Sequence, residues 1–168
     1  CVYYRGWNGE HPQGRSQLFN SDSGIAVGIS KEGASQIPEA LDATSLEWGT
    51  DANAFAQLAA EYFEEHKDAL NLKGSEAEEA DCQISYVIVI GDGEWTHGDQ
   101  AAEKIRLLRQ NLGVKTLVVA YGGGINSAGL AKFDAMALAG SCDDEDSPDC
   151  QARIDADTVS YTHLTLPT

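Results

Sequence analysis

The stretch VIVIGDGEWTHGD, residues 87–99, carries an apolar run into a carboxylate that lies between two glycines. The oxygens of Asp92 can bind a hard cation, and Gly91 and Gly93 let the backbone turn tightly beside it. Thr50, just before a long amphipathic segment, offers a hydroxyl oxygen that Mg²⁺ also accepts. The pair predicts a metal site for Mg²⁺, or for Mn²⁺ or Ca²⁺, with Thr50 and Asp92 as ligands.

Other chemistry also places an Asp after an apolar strand. A P-loop nucleotidase needs Gly-Lys-Ser/Thr, which the sequence lacks. GGGINSAG, residues 122–129, departs from the dinucleotide-binding pattern GxGxxG because Ser127 stands at the third glycine. DGEWT, residues 92–96, resembles the DxDxT loop of haloacid-dehalogenase-type phosphatases, but Glu94 replaces the second Asp and its extra methylene misplaces the acid. We expect a binding module and not an enzyme, with a Mg²⁺-dependent phosphatase as the alternative.

Simpler structural roles are also open to these side chains. Asp92 can form a turn at a strand end, and either Thr50 or Asp51 can cap the helix that follows. Trp95 either contacts a partner from the rim or packs over the loop as a lid. The remaining polar side chains of this stretch are expected to be solvated and to bind no ion: Glu94, His97 and Asp99.

Charge restricts the partners of the chain. Of its 168 residues 42% are hydrophobic, which is enough for one domain with a core. Its 27 acidic residues against 11 Lys and Arg give a formal net charge of -16. That field repels phosphate backbones and anionic lipids, so we expect no nucleic-acid partner. No run of eighteen apolar residues occurs, so we expect no membrane insertion.

Helical spacing is clearest over residues 50–70, where one face collects the apolar side chains Phe55, Leu58, Ala59, Tyr62, Phe63 and Leu70. Further helices are expected at 35–43, 100–113 and 130–140. Pro38 then falls in a first turn, where its missing N–H is harmless, and Gly113 ends its helix as the C′ residue.

Strands are predicted at 24–30, 84–91, 114–121 and 152–157. The two central segments are apolar on both faces, which is typical of parallel strands that are covered on both sides. Strands that alternate with helices predict an α/β fold, an open, mostly parallel sheet with helices on both faces, of Rossmann-like type. Ligands bind such sheets beyond the carboxyl ends of the strands, where the loops 92–99 and 121–129 would lie.

Four cysteines, Cys1, Cys82, Cys142 and Cys150, permit three pairings. Cys142 and Cys150 bracket the acidic loop DDEDSPD, and we expect a local disulfide between them, which implies an oxidising compartment. Zinc suits this spacing poorly. Cys82 pairs with Cys1 or with a cysteine beyond the chain, or it is a free buried thiol. The loop lacks the central Gly and final Glu of an EF-hand, so we expect a solvated hairpin.

Three motifs in order resemble von Willebrand factor A domains. YVIVIGDGEW, 86–95, resembles their strand and metal-site Asp; WGTDANAFAQLAAEYF, 48–63, resembles the loop that supplies a threonine ligand; GVKTLVVAYGGG, 113–124, is similar to their next strand. The resemblance covers residues 20–157. It implies a cation-dependent adhesion or interaction domain in which Thr50 and Asp92 hold the metal, and a protein ligand or host surface that binds the cation through an acidic group.

The segment GGGINSAGLAKFDAMALAGSCDD, 122–144, resembles the PilY-type adhesins at the tips of type IV pili. This resemblance implies pilus components as partners and an extracellular, cell-surface or periplasmic location. A structural A-like domain that acts in pilus assembly without metal is the alternative.

The first metal motif of the family, DxSxS, is absent, since neither DSGIA at 22–26 nor DATSL at 42–46 fits it. We expect that strand upstream of Cys1, which makes residues 1–157 a partial A-like domain with an incomplete metal site. Residues 158–168, which include VSYTHLTLPT, resemble adapter read-through and are expected to be a non-native tail.

Overall fold

The computed structural model describes residues 27–30, 32–42, 51–75, 84–91, 95–121, 125–144 and 147–155. These segments form a mixed α/β structure of five helices and two strands. In chain order the elements are α1 (Gly33–Asp42), α2 (Ala52–Glu65), β1 (Tyr86–Gly91), α3 (Gly98–Leu112), β2 (Lys115–Ala120), α4 (Ser127–Ser141) and α5 (Pro148–Asp155). No helix within these ranges is both long and apolar enough to cross a bilayer.

The two strands pair in parallel, with Tyr86 opposite Lys115 and Gly91 opposite Ala120. Helix α3 connects them, because parallel neighbours need a crossover that a tight hairpin cannot supply. The carboxyl ends of both strands therefore lie at the same edge of the sheet, which is the edge that the sequence predicts for the site.

The core lies on one face of this sheet. Val89 on β1 faces it together with Thr116, Val118 and Ala120 on β2, and all four are buried. Helices α3 and α4 pack against β2, and α2 packs against α3. The core cluster is completed from the helices by Phe55, Ile105, Phe133 and Met136, with several alanines. A second cluster, at the other end of α2 and α3, contains Phe63, Leu72, Leu108, Leu112 and Val114.

The other face of β1 is exposed, so the prediction that this strand is covered on both sides is wrong. Tyr86, Ile88 and Ile90 are 46%, 61% and 67% exposed, although each is large and apolar. The described helices that contact the sheet all share one core with Val89 and Val118. An apolar run of this kind indicates burial, but it does not separate the covered face from the open one.

This asymmetry predicts opposite outcomes for neighbouring substitutions on β1. Val89→Thr keeps the shape of the side chain but buries a hydroxyl, and we expect it to lower the free energy of unfolding by about 1–3 kcal/mol. Ile88→Thr on the exposed face should cost less than about 1 kcal/mol. Urea unfolding of both variants measures the difference. Equal losses would mean that both faces of β1 are buried in solution.

The strands predicted at 24–30 and 152–157 are wrong over their described residues, 27–30 and 152–155, and the rest of each lies outside the described residues. Residues 27–30 are not in a strand, and the Ile29 N–H donates to the Tyr62 hydroxyl at 2.9 Å, so this backbone group bonds to a side chain of α2. The strand expected at 152–157 is wrong as far as Asp155, where α5 ends. Pro148 starts this helix, at a position where its missing N–H is not needed.

Most helix ends lie within one to three residues of their predicted positions, but α2 ends at Glu65, five residues before the predicted end at Leu70. Asp51 caps α2, and Gly113 ends α3 with φ 70°. The Asn126 side chain caps α4 by accepting from the Gly129 N–H at 2.9 Å, so α4 begins earlier than predicted. Helix α1 also begins earlier, and Pro38 therefore lies inside it rather than in its first turn.

Candidate functional site

The start of α2 lies against the segment that follows β1. Asp51 and Thr96 form an isolated parallel bridge, and the Ala52 N–H donates to the Thr96 carbonyl at 3.0 Å. The two segments are far apart in sequence, and the bridge between them lies outside the two strands of the sheet. It joins the two loops in which the sequence places the metal ligands.

Asp51 makes two hydrogen bonds with one carboxylate oxygen. Its Oδ1 accepts from the Asn53 N–H at 3.0 Å, which caps α2, and lies 3.1 Å from Nδ1 of His97. The Asp51 side chain is almost fully buried, whereas that of His97 is 40% exposed. A hydrogen bond from His97 to an ionised Asp51 assigns the proton to Nδ1, because an ionised carboxylate only accepts. The sequence offers Thr50 or Asp51 as the cap, and the structure assigns it to Asp51, but the sequence gives no sign of the second bond.

His97 has a left-handed backbone, with φ 56° and ψ 33°. This conformation costs a residue other than glycine about 1–2 kcal/mol. His97 occupies the N-cap position of α3, yet its side chain does not cap that helix. His97 is exposed, as the sequence predicts, and the structure adds a hydrogen bond between its ring and Asp51 on another element.

Trp95 is a core residue, which excludes it as a contact aromatic on the rim. It is 7% exposed and makes edge-on ring contacts with Phe55 at 5.2 Å and Phe133 at 5.7 Å. Its carbonyl accepts from Nζ of Lys132 at 2.6 Å. A Cβ added to Gly91 would lie 2.7 Å from the indole Nε1, so β1 ends directly against this ring.

The two predicted metal ligands, Thr50 and Asp92, lie outside the described residues, as does Glu94. Their described neighbours are Asp51 on one side and Gly91 and Trp95 on the other. Whether Thr50 and Asp92 bind one ion stays a prediction. Asp99, in contrast, is described and exposed, as predicted, but it lies in the first turn of α3 rather than in the preceding loop.

Over the described part of the chain, no three His, Cys, Asp or Glu side chains group closely enough to hold a metal ion. One oxygen near the rim is nevertheless unpaired: Oδ1 of Asn53, in the first turn of α2, is buried and accepts no hydrogen bond. A buried acceptor without a partner is unfavourable by about 1–3 kcal/mol. It is a hard oxygen of the type that Mg²⁺ and Ca²⁺ prefer, so the chemistry of this end of α2 fits a cation.

Cys142 and Cys150 form a disulfide that links the end of α4 to α5. Arg109 of α3 holds the base of this loop: its Nε donates to the Ala139 carbonyl at 2.9 Å, and its Nη1 pairs with Asp143. The loop lines an open cleft of about 260 Å³. Cys1 and Cys82 lie outside the described residues.

The described geometry supplies a framework for a site rather than a set of ligands. A buried carboxylate, a half-exposed imidazole and two backbone hydrogen-bonding groups fix one helix start to one strand end. No family model, curated protein or solved structure matches the chain.

Proposed function

We propose that the chain is a cation-dependent adhesion or protein-interaction domain of the von Willebrand factor A type, in a cell-surface protein associated with type IV pili. Thr50 and Asp92 supply a hydroxyl and a carboxylate to a Mg²⁺, Mn²⁺ or Ca²⁺ ion, and further ligands complete its shell. The domain binds its partner and catalyses no reaction.

The observation that carries this proposal is the Asp51–Thr96 bridge. Thr50 precedes Asp51 directly, and residues 92–94 connect Gly91 to Trp95. Asp51 pairs with the residue after Trp95, so a residue next to Thr50 lies beside the chain that follows the segment 92–94. A site shared between these two loops needs this proximity.

The charge of the proposed site explains how it would bind a partner. One carboxylate and one neutral hydroxyl leave a divalent ion with excess positive charge and an open position. A carboxylate from a protein ligand then completes the shell as a hard oxygen donor. The net charge of -16 disfavours nucleic acid and anionic lipid as partners, and it favours a cation as the intermediary to an acidic group.

The Cys142–Cys150 disulfide supports a location outside the cytosol, in the periplasm or at the cell surface, because such bonds persist in oxidising compartments. The disulfide and α4 fall in the segment whose sequence resembles PilY-type adhesins. Pilus components are therefore the proposed partners of this part of the domain.

Paramagnetic broadening of amide NMR signals by Mn²⁺ tests the metal site, even where binding is weak. The measurement uses substoichiometric Mn²⁺ in about 0.15 M salt, where the Debye length is roughly 8 Å. Charges farther than this from the ion are then largely screened. We expect the amides of Ala52, Gly91 and Thr96 to broaden first and to recover on addition of excess Mg²⁺. Asp92→Asn should abolish this local broadening, because it removes the charged ligand.

Asp144→Asn is the matched control, since it removes one carboxylate from the acidic disulfide loop and leaves the proposed site untouched. It should leave the broadening pattern unchanged. Broadening that persists at these amides in Asp92→Asn, or that centres on the disulfide loop in the wild type, would overturn the proposal. Mg²⁺-dependent hydrolysis of an aryl phosphate that requires Asp92 would replace it with the phosphatase.

A further inference from the structure

We infer that Asp51 and His97 form a positioning pair that sets the distance between the two ligand loops. Neither side chain binds the ion. The inference rests on the proposed function. It states that the affinity of the metal site for its cation depends on the hydrogen bond between these two residues.

The first step concerns the short segment between Gly91 and Trp95. One end of this segment is fixed by β1, where the Tyr121 N–H donates to the Gly91 carbonyl at 2.7 Å. The other end is fixed at Trp95, through the core contacts of its ring and the bond from Lys132 to its carbonyl. The anchor at Gly91 belongs to the sheet, whereas the anchor at Trp95 joins α4 and, through Phe55, the first turn of α2.

The second step concerns what joins α2 to this segment. Among the described residues, the Phe55–Trp95 ring contact does so together with two hydrogen bonds, the backbone bond from Ala52 to Thr96 at 3.0 Å and the side-chain bond between Asp51 and His97 at 3.1 Å. The backbone bond fixes one point of contact. Helix α2 as a whole is held by its packing on α3, so the side-chain bond acts locally and fixes Asp51, the residue after Thr50, against the residue after Thr96.

The third step concerns the backbone of His97, which lies in the left-handed region although the residue is not glycine. Strained residues persist where the surrounding structure determines them, and they concentrate at binding and switch sites. Here the conformation turns the imidazole back toward Asp51 instead of toward the start of α3. Asp51 is buried, and the oxygen that caps α2 is also the one that bonds to this ring.

Separating positioning from helix capping requires paired variants at Asp51. Asp51→Ser keeps a good N-cap for α2 but is too short to hold His97. We expect the Mn²⁺ affinity, measured by the same NMR broadening, to fall by about tenfold, as when groups that orient metal ligands are removed. The thermal midpoint should stay near that of the wild type, because the cap remains.

Variants at His97 separate the donor from the backbone conformation. His97→Asn places an amide N–H near the position of Nδ1 and tolerates the left-handed region, so it should bind Mn²⁺ as the wild type does. His97→Gly tolerates that region but has no donor, and it should lose about tenfold in affinity, like Asp51→Ser. The double variant Asp51→Ser/His97→Gly should lose no more than either single one, because one link is removed in each case.

Asp92→Asn distinguishes failure of this inference from failure of the proposed function. If Asp92→Asn leaves Mn²⁺ binding intact, the metal site itself is wrong. If Asp92→Asn abolishes binding while Asp51→Ser and His97→Gly bind Mn²⁺ as tightly as the wild type, the site stands and the positioning pair is refuted. Loss of affinity in His97→Asn equal to that in His97→Gly would also refute it, since the donor would then be irrelevant.

Discussion

Gly140→Ala is expected to lower the free energy of unfolding by about 3 kcal/mol, the upper end of the usual range for overpacking a core. A Cβ at this position would lie 2.5 Å from Cβ of Thr116 and 2.8 Å from its carbonyl oxygen. The oxygen belongs to the backbone of β2, so no side-chain rotation relieves the clash. Helix α4 would have to move away from the sheet, and the core between them would open.

Two effects oppose each other in this substitution. Alanine in place of glycine inside a helix stabilises by roughly 0.5–1 kcal/mol, because the unfolded chain loses less entropy on folding. The clash with β2 exceeds that gain, and the net effect is a loss. Gly28→Ala is the control, since its Cβ would meet its nearest neighbour, the Tyr62 hydroxyl, at an ordinary 3.6 Å. Urea unfolding of the two variants measures the difference, and a stable Gly140→Ala protein would show that α4 does not approach β2 so closely.

The β1–α3–β2 unit is predictable from the sequence because its signals are local. The apolar runs at 84–91 and 114–121 lie within one or two residues of the strands. The amphipathic spacing at 100–113 identifies α3, and Gly113 adopts the positive φ that a helix end of this kind requires. In each case a few neighbouring residues carry the whole signal, and tertiary contacts reinforce it.

The exposure of Ile88 and Ile90 is not predictable in the same way. Both residues belong to an apolar run whose composition indicates burial on either face. Burial depends on where α3 and α4 pack, and that is decided by distant residues such as Phe133 and Gly140. Segment 152–157 was ambiguous for another reason, because a stretch of six residues is too short for a period to distinguish strand from helix.

The candidate site also contains one feature that local sequence predicts and one that it does not. Asp51 as the cap of α2 follows from local sequence. Its bond to His97 spans 46 positions and depends on a left-handed residue that no local pattern required. The sequence around this residue shows only a histidine between a threonine and a glycine, after a predicted strand, and this pattern does not indicate a bond to Asp51. Pairs of this kind arise from the docking of two elements, so the sequence shows the partners without showing that they meet.

Gly91→Ala and Trp95→Ala are expected to be strongly non-additive. Gly91→Ala should cost about 2–3 kcal/mol, because its Cβ would overlap the indole ring, which Phe55 and Phe133 hold in place. Trp95→Ala should cost about 3–5 kcal/mol through the cavity that it leaves. Once the ring is gone, a methyl group at position 91 has space and fills part of that cavity.

The double variant should therefore be no less stable than Trp95→Ala alone, with an interaction energy of about 2 kcal/mol between the two sites. Urea unfolding monitored by circular dichroism measures the stability of all three variants without relying on tryptophan fluorescence. If the two losses simply add, Gly91 and Trp95 do not touch, and the end of β1 does not lie against the ring. The rim would then have a different shape at the residue before Asp92, and a cation site there would need another support.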